Sequence, residues 1–123
     1  MVKDRVNPMK PKIKKVYNEN NDFQHVEVLK RNREKRTKYQ EFFVEGVQAI
    51  NFALAYHWPV KTLVYTRERS LSGWAENILH NSTAELHLEL PAALMDKLSD
   101  KEEETSEIIA VVEMAAPDLS RIK

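Results

Sequence analysis

Apolar residues along the chain recur at spacings that predict helices and strands in alternation. From residue 23 to residue 38, apolar positions three apart indicate a helix whose second half is the basic run KRNREKRTK. The apolar stretch FFVE at 42–45 predicts a short strand, and apolar residues at i, i+3 and i+7 predict a helix over 47–56. Because Gln48 and Asn51 are the polar residues within that second helix, we expect it to be buried on most of its sides.

The second half of the chain continues this alternation. Residues 60–66, VKTLVYT, have the β-branched and aromatic composition of a strand. Residues 70–81 are predicted to form a helix with Ser72 as its N-cap, and Pro91 is predicted to start a short helix. The continuous apolar run within 107–114 predicts a strand that is buried on both faces at the centre of the sheet.

The segment AELHLEL at 84–90 alternates strictly between apolar and polar residues. Its three leucines share one face, whereas Glu85, His87 and Glu89 share the other. This pattern is typical of a strand with one solvent-exposed face, so we place it near an edge of the sheet with His87 in contact with water.

The predicted helices and strands alternate four times along the chain, and this order indicates the fold class. Such alternation requires crossover connections, which favour a mainly parallel sheet with helices on both faces. We therefore predict a three-layer α/β/α sandwich around about four strands, formed by residues 23–114. Residues 1–22 hold two prolines, an asparagine-rich patch and scattered lysines, and we interpret them as a mobile basic arm or leader.

The charge of the chain is unevenly distributed, although its formal net charge is zero. Residues 1–38 carry 12 Lys/Arg and 5 Asp/Glu, and residues 39–123 carry 7 Lys/Arg and 14 Asp/Glu. A basic end of this kind favours contact with a polyanion such as nucleic acid. From the charge pattern alone, a solvated tail followed by a charged helix face is favoured over nucleic-acid binding.

Several classes of protein do not fit the composition. The chain has no cysteine, which excludes a disulfide framework and thiolate metal sites and fits the cytoplasm. Its four histidines lack metal-ligand spacing, so we expect no metal. The longest strongly apolar run, IIAVV at 108–112, is far too short to span a membrane.

The pair Glu45-Gly46 lies at the predicted turn between the strand at 42–45 and the helix at 47–56. Glycine permits a tight turn there and leaves the free N–H groups of the helix start uncovered, where an anion such as phosphate can bind. The alternative is purely structural: Glu45 caps the helix and Gly46 packs against the sheet.

Residues 36–46, RTKYQEFFVEG, resemble the opening motif of the SpoU/TrmH (SPOUT) family of RNA 2'-O-ribose methyltransferases, in which an arginine precedes F-x-V-E-G. The Ala53-Leu54 pair, the Leu98-Ser99 turn and the run at 108–112 match later parts of the family's amino-terminal domain. The family's glycine before the last strand is absent, and Thr-Ser-Glu stands there. The resemblance covers roughly residues 24–115.

The resemblance implies a fold similar to kink-turn-binding ribosomal proteins and a role in binding ribosomal or transfer RNA. Catalysis in the family belongs to a second domain that binds S-adenosyl-L-methionine, and nothing in this chain is similar to it. We therefore expect no catalytic residue, no cofactor and no methyl transfer in this segment alone. Residues 115–123 look like the start of the linker to that domain. The resemblance also implies a monomeric segment and a homodimeric full-length enzyme.

The candidate RNA-binding site combines the basic helix with the turn that follows it. Arg36 stands where the family has its arginine, and arginines can bridge phosphates or stack on unpaired bases. We expect the helix to lead directly into the turn. The predicted RNA-binding residues are Lys30, Arg31, Arg33, Lys35, Arg36, Lys38, Glu45 and Gly46.

Two other functions remain open at this point. The chain could be a stand-alone RNA-binding protein of the kink-turn type. It could also be a protein–protein interaction module that docks through the apolar helix at 47–56. Trp58 and Trp74 could stack on RNA bases, although packing is the more common role of tryptophan.

Overall fold

The computed structural model describes residues 12–99 and 106–113, which form a mixed five-stranded sheet with helices on both faces. In chain order the elements are β1 (Lys12–Lys15), α1 (Asn21–Arg31), α2 (Arg33–Tyr39), β2 (Glu41–Glu45), α3 (Val47–Ala55), β3 (Val60–Tyr65), α4 (Gly73–His80), β4 (Leu86–Glu89), α5 (Ala92–Leu98) and β5 (Ile109–Glu113). The predicted α/β/α class is confirmed. None of the described helices is long and apolar enough to cross a membrane.

The strand order is β1-β4-β3-β5-β2, with one strand more than the four or so predicted and with β5 reversed in a sheet whose other strands run in one direction. Strands β1, β4 and β3 pair in parallel, whereas β5 is antiparallel to both β3 and β2. The strand that the sequence analysis did not predict is β1. Alternation of helices and strands determines the layers, but it does not determine the direction in which a strand enters the sheet.

Strand β1 lies inside the predicted mobile arm, so residues 12–22 are part of the fold instead. Lys12 and Val16 donate backbone hydrogen bonds to the carbonyls of Glu85 and Glu89, at 3.0 and 2.8 Å. Val16 is fully packed in the core. The sequence KIKK hid this strand, because lysines are common on exposed sheet edges and mask the apolar pattern. Residues 1–11 and 115–123 lie outside the described residues.

The core consists of one apolar layer on each face of the sheet. Helices α1 and α5 cover one face, and α3 and α4 cover the other. Strand β5 contributes to both layers, with Ile109 and Val111 on one side and Ala110 and Val112 on the other. This confirms the strand predicted to be buried on both faces.

Asn32 divides the predicted helix at 23–38 into α1 and α2. Its backbone N–H ends α1 by donating to the carbonyl of Val28, and its side-chain oxygen starts α2 by accepting from the N–H of Lys35 at 3.1 Å. Asparagine suits both positions because its short polar side chain competes with helix continuation and favours caps. The predicted N-cap Ser72 is also observed, with its Oγ accepting from the N–H of Ala75 at 3.2 Å.

Helix α3 is less buried than its sequence predicts, so that expectation is wrong. Ile50 and Ala53 are its buried residues, whereas Val47, Phe52 and Leu54 remain 50%, 55% and 40% exposed. Among the described residues, only the sheet side of α3 is covered by another layer. The outer face therefore keeps large apolar side chains in contact with solvent.

His87 does not lie on a solvent-exposed face, as the alternating pattern had predicted. Strand β4 is flanked by β1 and β3, and the side chain of His87 is only 3% exposed. Its Nε2 has no hydrogen-bond partner among the described residues. Burial lowers the pKa of the imidazole, while Glu89 raises that pKa and Arg67 lowers it. The ring lies on the sheet face that α4 covers, with its centroid 5.8 Å from that of Tyr65, and the alternating pattern does not report this covering layer.

We predict that Gly46→Ala destabilises the fold by about 1–3 kcal/mol, because φ at Gly46 is 99° and side chains are strained there. Gly73→Ala is the matched control. A Cβ at Gly73 meets nothing within 4 Å, so we expect its stability to stay within about 0.5 kcal/mol of wild type. Urea unfolding of the three proteins measures the difference, and equal midpoints would contradict the prediction.

We predict that the fold loses stability on acidification through His87. The pKa of His87 in the folded state lies below its unfolded value of about 6.5. The stability that comes from keeping His87 neutral is therefore fully present above the unfolded pKa, and it is lost as pH falls through the folded-state pKa. Replacing His87 by leucine removes this loss, while Tyr65, Arg67 and Glu89 around the site stay unchanged. Unfolding free energies measured from pH 7 to pH 5 should therefore fall less steeply for His87→Leu. Parallel curves would show that His87 is not responsible.

Candidate nucleic-acid interface

Helices α1 and α2 form a hairpin that is locked by the side chain of Arg36. The Nε of Arg36 donates to the carbonyl of Leu29 at 2.5 Å, and one Nη donates to the carbonyl of Lys30 at 2.6 Å. These carbonyls are at the end of α1, where no further helical turn can satisfy them. At the other end of the hairpin, the rings of Tyr39 and His25 meet edge to face with centroids 4.9 Å apart.

Among the described residues, four of the six predicted cations make no hydrogen bond or ion pair between the two helices of the hairpin: Arg31, Arg33, Lys35 and Lys38. Arg31 lies 3.6 Å from Glu27 in an ion pair between successive turns, and the Nζ of Lys38 lies 5.8 Å from the centre of the Tyr39 ring. The side chains of Arg33 and Lys35 make no hydrogen bond or ion pair within residues 12–99 and 106–113. Helix α2 has no buried residue. Its cations are therefore accessible to a polyanion.

Arg36 differs from the other cations of the predicted site. Two of its donors are bound within the chain, so its main contact is with the backbone of α1. Arginine suits this position because its planar guanidinium donates in two directions at once. The sequence alone could not separate Arg36 from its neighbours, because all six cations lie in one basic run.

A buried carboxylate joins the hairpin to the sheet and was not among the predicted site residues. Glu41 is 8% exposed, and its two oxygens contact the Nε2 of His25 at 2.7 Å and the Nζ of Lys61 at 3.1 Å. The hydrogen bond with Glu41 raises the pKa of Lys61 and outweighs the effect of burial. The sequence signal was the single glutamate that begins the apolar run EFFV.

Glu45 does not cap helix α3, although the purely structural alternative for the Glu45-Gly46 turn required this. The Oε2 of Glu45 accepts hydrogen bonds from the hydroxyls of Ser99 and Ser106, both at 2.7 Å, and so ties β2 to the ends of α5 and β5. Helix α3 has neither a side-chain cap nor an acidic residue in its first turn. Val47, Gln48 and Ala49 of its first turn line a cavity of about 640 Å³. An anion can be accommodated there.

The structure does not bring the basic hairpin and the turn into one contiguous cluster. Strand β2 lies between Tyr39 and Gly46, and its five residues span about 17 Å at roughly 3.4 Å per residue. We expected the basic helix to lead directly into the turn, and this expectation is wrong because β2 separates the two. Between these two ends, the cavity beside Gly46 is lined by the aromatic rings of Phe42, Phe52 and Trp58.

The described parts of the chain contain no group of three His, Asp or Glu side chains that could hold a metal ion. The arrangement offers an accessible set of cations, an uncapped helix start and a groove with aromatic walls. Such features can bind anionic and aromatic groups.

Comparison with known proteins relates this geometry to one family. A profile of the SpoU L30e-like domain matches residues 20–110. The 23S rRNA (uridine(2479)-2'-O)-methyltransferase of Streptomyces viridochromogenes is 42% identical over 112 residues, which cover 91% of this chain and 39% of that enzyme. The chain thus spans well under half the length of this relative.

Solved structures agree with the sequence comparison. The SpoU methyltransferase AviRb of Streptomyces viridochromogenes, crystallised with AdoMet, superposes with a TM-score of 0.71 at 43% identity, covering 85% of this chain and 39% of AviRb. An rRNA methyltransferase of Sinorhizobium meliloti gives a TM-score of 0.68 at 20% identity, covering 86% of this chain and 39% of that one, and shows a shared fold. The sequence resemblance to the SpoU/TrmH family is confirmed, and the chain belongs to the SpoU L30e-like domain family.

Proposed function

We propose that the chain is the RNA-recognition domain of a SpoU/TrmH-type 2'-O-ribose methyltransferase and does not catalyse methyl transfer by itself. The observation that carries this proposal is a pair of cations, Arg33 and Lys35, with no partner among the described residues, on a hairpin fixed to a SpoU L30e-like domain. Cations held in this way bind phosphates through Coulomb attraction and charge-assisted hydrogen bonds.

The substrate that we propose is ribosomal RNA. The relative at 42% identity is named for an activity on 23S rRNA, and transfer RNA is the alternative within the family expectation. A rigid hairpin reads the spacing of phosphates along a folded RNA, because RNA is recognised largely by shape and by unpaired bases. We place this function in the cytoplasm and expect the isolated segment to be a monomer.

Methyl transfer requires a part that the relatives have and that this chain does not match. The chain corresponds to 39% of AviRb, whose crystal structure contains AdoMet. The chain has two glycines, Gly46 and Gly73, and neither belongs to a glycine-rich loop. We therefore assign S-adenosyl-L-methionine to the remaining part of the longer enzymes, and recognition of the RNA to the residues described above.

We predict that RNA binding is weak and depends steeply on salt. If five cations of the hairpin meet phosphates, the log–log slope of affinity against salt should be roughly −3 to −4 on single-stranded RNA. The double substitution Arg33→Ala, Lys35→Ala should flatten the slope by about 1 to 1.5. Fluorescence anisotropy at several salt concentrations measures both slopes.

The control for this experiment removes the same charge elsewhere. Lys12 and Lys15 lie on β1, the edge of the sheet opposite β2. Lys12→Ala, Lys15→Ala should keep the wild-type slope. A structured ribosomal RNA fragment should also bind more tightly than an unstructured strand. Equal slopes for the two double variants would remove the hairpin from the RNA site and leave only non-specific attraction.

We predict that Arg36 acts through the position of the hairpin. Arg36→Lys keeps the charge but cannot make both bonds to the carbonyls of Leu29 and Lys30, so it should lose about 1–3 kcal/mol of stability. Arg36→Ala should lose a similar amount, because it also removes both bonds. RNA affinity should fall to a similar extent in both variants. Urea unfolding and anisotropy test this together. If Arg36→Lys binds RNA like wild type, Arg36 contributes as a charge alone.

A further inference from the structure

The outer face of α3 and the turn after it expose three neighbouring aromatic rings, which we call the aromatic surface: Phe52, Tyr56 and Trp58. These side chains are 55%, 63% and 39% exposed. Single exposed apolar residues are common on proteins, but a contiguous patch marks an interaction site. Neither the core nor the cation hairpin explains why three large rings remain in solvent here.

The rings of the aromatic surface are held in place by the fold. Phe52 packs against Tyr56 at 4.5 Å between centroids and against Trp58 at 6.3 Å. Trp58 also meets Phe42 of β2 edge to face at 5.2 Å, and its backbone N–H donates to the carbonyl of Ala53 at 2.9 Å. Rings that are already ordered lose little conformational entropy when a ligand covers them.

The surroundings of the aromatic surface point to the chemistry of its ligand. Residues 46–58 contain no acidic or basic residue other than His57. At the Trp58 end, however, the surface reaches the start of β2 through Phe42, which is four residues from Lys38. Strand β2 is an edge of the sheet, so the face covered by α1 and the face covered by α3 meet along it.

An uncharged aromatic surface bordered by cations matches single-stranded nucleic acid. Sites of this kind combine basic groups that follow the phosphates with rings on which successive bases stack. The exposed ring of Tyr39, whose centre lies 5.8 Å from the Nζ of Lys38, adds an aromatic group to the cationic hairpin itself. A protein partner would be served equally well by the rings but would not need the adjoining basic hairpin.

We infer that the aromatic surface stacks unpaired nucleotides of the RNA whose phosphates lie on the α1–α2 hairpin. This inference rests on the proposed function and adds to it the class of RNA element recognised: a loop, bulge or single-stranded end next to a helix. Bases in a duplex are stacked on each other and cannot cover the rings. Stacking also tolerates different bases, so the surface recognises strandedness and not a sequence.

Trp58 supplies a direct reporter of stacking. In a Trp74→Phe background it is the single tryptophan of the chain, and a base stacked on it quenches its fluorescence. A short single-stranded RNA should quench this emission, whereas a duplex of the same sequence should not. Phe52→Ala should weaken binding of the single strand by about 5- to 100-fold, without changing the salt slope.

Leu54→Ala is the matched control, because Leu54 is 40% exposed on the same helix but is not aromatic and lines a different cavity. It should bind RNA like wild type. Thermal melting of each variant verifies that the fold is intact, which we expect because Phe52 is mostly exposed. Unchanged affinity and unquenched Trp58 in a folded protein would overturn the inference.

The outcomes also separate this inference from the proposed function. If Arg33→Ala, Lys35→Ala flattens the salt slope while Phe52→Ala binds normally, the hairpin binds RNA and the stacking inference fails. If neither variant differs from wild type in a salt-dependent assay, the proposed function fails as well. If wild type sediments as a dimer that Phe52→Ala converts to monomer, with RNA affinity unchanged, the surface is a protein interface and stacking is excluded.

Discussion

The candidate RNA site depends on the contact between one guanidinium and the last carbonyls of a helix. Without the bonds from Arg36 to Leu29 and Lys30, α1 would end with unsatisfied carbonyls and α2 could swing about Asn32. The contact converts one basic run into two short helices at a fixed angle. Cations on a fixed hairpin bind phosphates with less loss of conformational entropy than cations on a flexible tail.

A second constraint joins this hairpin to the rest of the fold. Glu41 places a carboxylate under the hairpin, between His25 of α1 and Lys61 of β3, and is almost completely buried. A carboxyl group in this position is tolerated because a ring nitrogen of His25 and the Lys61 ammonium both contact it. Glu45 at the other end of β2 is bound by two serine hydroxyls. The two glutamates thus hold β2 at both ends, with hairpin and turn fixed to it.

The sequence predicted the features that depend on local pattern. It identified the layer architecture, the buried strand β5, the N-cap Ser72 and the family. It failed where tertiary contacts decide the outcome. Strand β1 reads as a basic tail until β4 is beside it, and His87 reads as a surface residue until α4 covers its face of the sheet.

The candidate site shows the same division between local and long-range information. The basic run and Gly46 are visible as residue types, and the positive φ of Gly46 agrees with the need for glycine. The partners of Glu45 are Ser99 and Ser106, 54 and 61 residues away along the chain, and no local pattern indicates them. The exposure of α3 likewise depends on which of the described elements pack against it, and apolar spacing cannot report this.

The strand order has a consequence for the way the chain folds as it is synthesised. Strand β2, which carries the hairpin and the turn, pairs with β5 and with no other described strand. Since β5 is the last of the described strands to be synthesised, β2 joins the sheet only when that strand inserts between β2 and β3. Such long-range pairing is slow compared with helix formation. The basic hairpin can thus form early on the ribosome, but it acquires its fixed orientation only after β5 has emerged.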